Sequence, residues 1–167
     1  MITGIPTALT APETAQLQKL ARGGTVLELG AHFGYSTIAL AQVATRVHSV
    51  DWHQGDSMAG HMNSLEAYFT NLRRHGAPNV VTHVGRFEDV LPLFRDMAFD
   101  GVFIDGEHDR VSVARDTDLA RRLVAPGGWL AWHDFGRFEV GAGIADGMGA
   151  WPIDLRQVDW LAWLQSI

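Results

Sequence analysis

The sequence predicts a doubly wound α/β fold built on a mostly parallel sheet, and three observations carry that prediction. Short runs of β-branched and aromatic residues alternate with segments whose apolar residues recur every three or four positions. Each run stops at a glycine or a polar residue, as strands buried on both faces do. Ionisable residues gather just past those ends instead of being spread evenly along the chain. With 167 residues, 47% of them hydrophobic and 19% charged, a single ordinary globular domain is expected.

The elements follow in order. Ala11–Ala21 reads as a helix ahead of the first strand, Thr25–Leu29, which ends at Gly30. A helix over Ser36–Ala44, with Ser36 as its N-cap, leads to the strand Arg46–Val50, which ends at Asp51. The helix Asn63–His75 is stopped by Gly76 and Pro78 before the strand Val80–Val84 and Gly85. Phe87–Arg95 is helical in pattern, and Gly101–Ile104 is the strand that ends at Asp105. In the helix Ser112–Leu123, one mostly apolar stripe holds Val113, Asp116, Leu119, Ala120 and Leu123. Ala125–Gly128 makes a tight turn into the strand Trp129–Trp132, which ends at His133–Asp134. In the tail, Ile153–Val158 and Leu161–Gln165 fit a hairpin turning at Asp159–Trp160 better than a last helix. Gly141–Gly149 holds four glycines and reads as a mobile loop or a weak helix beside the site.

Composition narrows the function. With no cysteine, disulfide scaffolds, thiol catalysis and cysteine-ligated zinc are excluded, in keeping with a reducing compartment. Thirteen basic and 19 acidic residues leave a charge of −6, and the basic ones are scattered, which disfavours a nucleic-acid or anionic-membrane partner. The first charged residue is Glu13, so no basic segment precedes an apolar one, and no apolar stretch is long enough to span a bilayer. A cytoplasmic protein is expected.

In an open parallel sheet, ligands sit off the carboxyl ends of the strands. Here those ends carry Glu28–Gly30, Asp51–Trp52, Gly85–Phe87, Asp105–His108 and His133–Asp134. Gly30 and Gly34 permit a tight turn with close backbone approach to a ligand, and the next helix points its positive end there. The dinucleotide pattern G-x-G-x-x-G fails, because His32 and Tyr35 stand where glycines would. Asp51 lies about 20 residues past Gly30, the spacing that grips a ribose diol. Trp52 is either a stacking surface for an adenine or a core residue. Together these point to an adenosine-bearing cofactor that needs no phosphate cradle.

Asp105, His133 and Asp134 end adjacent strands and either hold a divalent cation together or serve as strand-end acceptors and caps. His108, on the same loop as Asp105, titrates near neutrality as a general base must. The remaining histidines, among them His48, His61, His75 and His83, show no partner at ligand spacing. Five of the six tryptophans (Trp129, Trp132, Trp151, Trp160 and Trp163) crowd the C-terminal third and suit a core, a substrate wall or a dimer face.

With these segments in order, the chain resembles class I S-adenosylmethionine-dependent methyltransferases from about Leu20 to Phe135. It is most similar to the catechol O-methyltransferase-like and sugar O-methyltransferase branches. The resemblance rests on E-L-G-A-x-x-G-Y-S from Glu28, F-D-G-V-F-I-D-G-E-H-D-R over Phe99–Arg110, and A-P-G-G-W-L-A-W-H-D-F over Ala125–Phe135. It implies a Rossmann-like sheet of about seven strands with an antiparallel C-terminal strand. One domain would span 1–167, with an N-terminal helix in 1–22, a cofactor-binding core in 23–135 and closing strands in 136–167. Glu28, Gly30, Ala31 and Ser36 would then line the methionine end of S-adenosylmethionine, with Gly34 and Tyr35 also among the cofactor-binding residues. Asp51 would hold its ribose, and Trp52, Arg86 and Phe87 would border its adenine. Asp105, beside the cofactor, would bind a divalent cation such as Mg²⁺ with His133 and Asp134. His108 falls where the catechol-type enzymes carry a catalytic lysine. His133–Asp134 departs from the catechol pattern and looks like the sugar-methylating branch.

The expected activity is methyl transfer to a hydroxyl of a small molecule, with a homodimer as the expected assembly. A metal-independent methyltransferase with a histidine base, or a silent cofactor-binding subunit of a complex, are the alternatives. The broken glycine pattern is against a nicotinamide oxidoreductase. The I-D-G-E strand end and the net charge are against nucleic-acid methylation. Only about 20 residues precede the first strand. The acceptor wall is therefore expected from Gln54–His61, the glycine-rich tail segment or a second subunit.

Overall fold

The computed structural model describes residues 2–56, 60–150 and 154–165. Seven strands form one sheet: β1 (Thr25–Leu29), β2 (Arg46–Asp51), β5 (Val80–Val84), β6 (Phe99–Ile104), β7 (Val124–Trp132), β8 (Arg156–Val158) and β9 (Leu161–Gln165). Their order is β5-β2-β1-β6-β7-β9-β8. The first five pair in parallel, and β9 and β8 close the sheet antiparallel. The order reverses between β1 and β6, and a crevice opens at such a switch point. Two short strands, β3 (Gly55–Asp56) and β4 (Gly60–His61), pair outside the sheet.

Period-two alternation separates the two cores. Val26, Val47, Phe103 and Trp129 face the layer holding α1 (Ala11–Ala21), while Leu27, Val102, Leu130 and Trp132 face the layer holding α5 (Arg110–Arg121). Trp129 lies flat over Gly101, where a Cβ would come within 1.9 Å of its ring. Thr10 and Glu13 form a reciprocal capping box at the start of α1.

Several boundaries differ from expectation. Ser36 is not an N-cap: Gly34, at φ 88°, holds that position, and α2 (Tyr35–Ala41) places Ser36 in its buried first turn. The Phe87–Arg95 segment is a short α4 (Phe87–Val90) followed by a 3₁₀ turn at Leu91–Leu93, because Pro92 has no N–H to continue the helix. The helix α3 (Leu65–His75) does end at Gly76, which adopts φ 64°. Ala125–Gly128 lies within β7, where register jumps from Phe99↔Val124 to Gly101↔Trp129. The tail is the expected hairpin turning at Asp159–Trp160, while Ile153 lies outside the described residues.

The glycine-rich segment is a helix, α6 (Phe138–Met148), packed lengthwise on α5. A Cβ on Gly143 would reach the Arg110 carbonyl at 2.7 Å, and one on Gly147 would reach the Ala114 carbonyl at 2.4 Å. The glycines therefore serve close helix approach instead of mobility. Trp129, Trp132 and Trp163 are core residues, Trp160 is half-exposed, and Trp151 lies outside the described residues. No helix among the described residues is long and apolar enough to cross a membrane.

Candidate active site

The strand ends of β1, β2, β6 and β7 open into one cavity of about 290 Å³. Its first wall is the loop after β1. Gly30 sits at φ 94°, and a Cβ there would lie 1.9 Å from the Asp105 carbonyl oxygen, so only glycine fits. Asp51, at the end of β2, organises this loop. Its Oδ2 accepts the N–H groups of Ala31 and His32 at 2.8 and 2.7 Å, and its Oδ1 accepts that of His53 at 2.6 Å. A carboxylate has about four acceptor positions, so one donor more can still be received.

Beneath the loop, Glu28 is fully buried and accepts the Thr37 hydroxyl. Burial pushes its carboxyl up to about 7, against the nearby hydroxyls of Ser36, Thr37 and Ser49. Glu28 and Gly34 do not line the cavity: Glu28 anchors the loop from below, and Gly34 turns against the Tyr68 ring. Gly30, Ala31, Tyr35, Ser36, Asp51, Trp52, Arg86 and Phe87 do line it. The Arg86 guanidinium lies 4.3 Å over the Trp52 ring, and the Phe87 ring covers Gly106.

The second wall belongs to β6 and β7. His108 Nε2 lies 2.7 Å from Asp134 Oδ2, leaving the buried Nδ1 with no hydrogen-bond partner among the described residues. That bond raises His108 above the ordinary imidazole value, against burial. His133 stands behind the pair, with Nδ1 3.2 Å from Asp134 and 3.5 Å from Asp105, and Nε2 3.5 Å from the buried Glu13. Burial opposes charge on His133, but Asp105 and Asp134 push it up to about 10. Burial alone would raise Asp134, yet hydrogen bonds from His108, His133 and Arg137 hold it well below the usual carboxylate range.

One ligand atom each of Asp105, His108 and Asp134 lies within 4.8 Å of the others, a grouping that exchanges His133 of the expected set for His108. Two carboxylate oxygens and an imidazole nitrogen suit a divalent cation, a transition metal better than Mg²⁺. His108 precedes α5 and Asp134 precedes α6, and the Gly143 and Gly147 contacts let those two helices pack closely.

Other lining residues had no readable signal. Pro6–Leu9 forms part of the wall, together with Ser64, Glu88, Arg115 and Asp116, while the glycine-rich segment contributes nothing to it. Pro6–Leu9 has neither periodicity nor a chemical motif, and it comes near only because Ile5 and Leu9 are buried. His48 and His83, unpaired by sequence spacing, meet across β2 and β5 at 3.0 Å.

The chain belongs to the Methyltransferase domain family, which matches residues 27–135. Among solved structures it is similar to the O-methyltransferase TomG from Streptomyces achromogenes, in complex with SAM, at 24% identity and TM-score 0.72, covering 95% of this chain and 82% of that one. It is similar also to cofactor-bound Rv0187 from MTB, at 24% identity and TM-score 0.75, covering 99% and 84%. A third is the O-methyltransferase from Bacillus cereus in complex with SAH, at 20% identity and TM-score 0.71, covering 94% and 82%. At these identities the likeness establishes the fold. No curated protein matches the sequence.

Proposed function

We propose that the protein transfers a methyl group from S-adenosylmethionine to a hydroxyl of a small molecule. The observation that carries this reading is one cavity shared by a glycine-turned loop, a strand-end aspartate and a histidine–aspartate pair. The SAM- and SAH-bound neighbours support the cofactor, and two of them are O-methyltransferases.

S-adenosylmethionine carries its methyl on a sulfonium, so the C–S bond breaks as the O–C bond forms and S-adenosylhomocysteine leaves. The protein's task is alignment and proton removal. The Gly30 turn admits the donor against bare backbone, and Asp51 receives a ribose hydroxyl. Asp134 orients His108 through Nε2, and the imidazole takes the proton of the acceptor hydroxyl. Alternatively, Asp105, His108 and Asp134 would hold a divalent cation, with His108 then a ligand in place of the base, and the cation would lower the pKa of that hydroxyl. A second reading, with no metal, is favoured by the His108–Asp134 bond, which already makes a complete base.

Calorimetric titration with S-adenosylhomocysteine, alone, with Mn²⁺ and with a chelator, tests the reading. Micromolar binding is expected, and no binding in any condition overturns it. Turnover that survives chelation selects the metal-free version. His108→Ala is expected to lower turnover about 10²–10⁴-fold while leaving S-adenosylhomocysteine affinity within about twofold. Turnover near that of the parent enzyme removes His108 as the base.

A further inference from the structure

Asp116 is the one charged residue on the buried stripe of α5, beside Val113 and Ala120, which fill the core. Its side chain is 2% exposed, yet it lines the cavity. Both Arg115 contacts, Nε and one terminal nitrogen at 3.0 Å, fall on Oδ1. No hydrogen bond or ion pair from a described residue falls on Oδ2. A carboxylate oxygen left open on the wall of a cavity is a place for an N–H donor from a ligand.

The position of this oxygen names the donor. From Trp52, next to Asp51, contacts run along the wall through Arg86 (4.3 Å), Glu88 (3.9 Å) and Arg115 (3.5 Å) to Asp116. Asp116 thus ends a chain of residues that begins beside the ribose-binding aspartate. In adenosine, the 6-amino group is on the edge of the purine away from the glycosidic bond. A base that lies along this wall with its ribose at Asp51 brings that amine to the far end.

Resting on the methyl-donor reading above, we propose that Asp116 Oδ2 accepts a hydrogen bond from the 6-amino group of the donor's adenine, making Asp116 the residue that selects this base. Arg115 fixes Oδ1 and thereby directs Oδ2 to the ligand. Glu88, ion-paired to the same Arg115, steadies the guanidinium.

The test compares S-adenosylhomocysteine with S-inosylhomocysteine, in which an acceptor oxygen replaces the donor amine. The parent protein is expected to bind the adenine compound at least about tenfold more tightly, since a mismatched polar pair in a closed site discriminates strongly. In Asp116→Asn, Arg115 keeps the amide oxygen, so the amide NH₂ takes the place of Oδ2. The preference is then expected to move at least about tenfold toward the inosine compound. A purely structural role lowers both affinities together and leaves their ratio unchanged, which overturns the proposal. A ratio near one in the parent protein overturns it even if Asp116→Asn does not fold. If neither compound binds the parent protein, the methyl-donor reading falls, whereas tight, equal binding of both removes only the role of Asp116.

Discussion

The two walls of the cavity are built in different ways. The β1–β2 wall is backbone: a glycine at φ 94°, and three N–H groups collected by Asp51 from residues close by in the chain or on the adjacent strand. The β6–β7 wall is side-chain charge: two aspartates and two histidines whose spacing is set by helices that begin just past them. The contrast teaches that a binding surface of backbone tolerates little change in residue type, whereas a charged cluster tolerates little change in packing.

Gly30→Ala breaks the first wall and should have the largest effect. The added methyl meets the Asp105 carbonyl at 1.9 Å in a backbone conformation that alanine disfavours. S-adenosylhomocysteine affinity is expected to fall about 100-fold or more by calorimetry, and a loss under about threefold would show that the loop yields. Gly147→Ala acts on the second wall from a distance, pressing on Ala114 and Thr117 and loosening the packing of α6 on α5. Overpacking of this kind costs about 1–3 kcal/mol. Turnover is expected to fall about tenfold while S-adenosylhomocysteine affinity stays within about twofold. Equal loss of both would dissolve the distinction between the walls.

Glu28→Gln gives the smallest and most conditional effect. In the folded chain the carboxyl keeps its proton to about pH 7, while in the unfolded chain it releases it near the ordinary glutamate value of 4.5. Folding therefore takes up a proton between those values, and stability falls as pH rises through that window, by about 3 kcal/mol in full. From pH 5 to 7.5 the denaturation midpoint of Glu28→Gln is expected to decline less steeply than the parent's, the slope that remains belonging to Asp116 and the shifted histidines. Parallel curves would show that Glu28 is not the group responsible.

Much of the fold is legible in the sequence for a local reason. Strand runs such as Thr25–Leu29 and Leu161–Gln165 announce themselves by composition and length, and their ends by Gly30, Asp51 and Asp105. The candidate site is legible wherever a strand end carries its own chemistry. Three features were not. The Gly141–Gly149 segment has the composition of a loop and the structure of a helix, because contact with α5 compensates for glycine's poor propensity. Pro6–Leu9 reaches the cavity only through the burial of its neighbours. His133 and His108 look alike in sequence and both line the cavity, but one stands among three carboxylates and the other bonds Asp134 through Nε2.

The sequence by itself determined the alternation of strand and helix, the glycine turn after β1 and the strand-end acids, since each depends on residues within a few positions of one another. Only the tertiary structure decided which histidine pairs with Asp134 through Nε2, which acids are buried, and that Asp116 on α5 reaches the cavity wall. Those outcomes depend on desolvation and on contacts between distant segments, and neither is encoded in spacing along the chain.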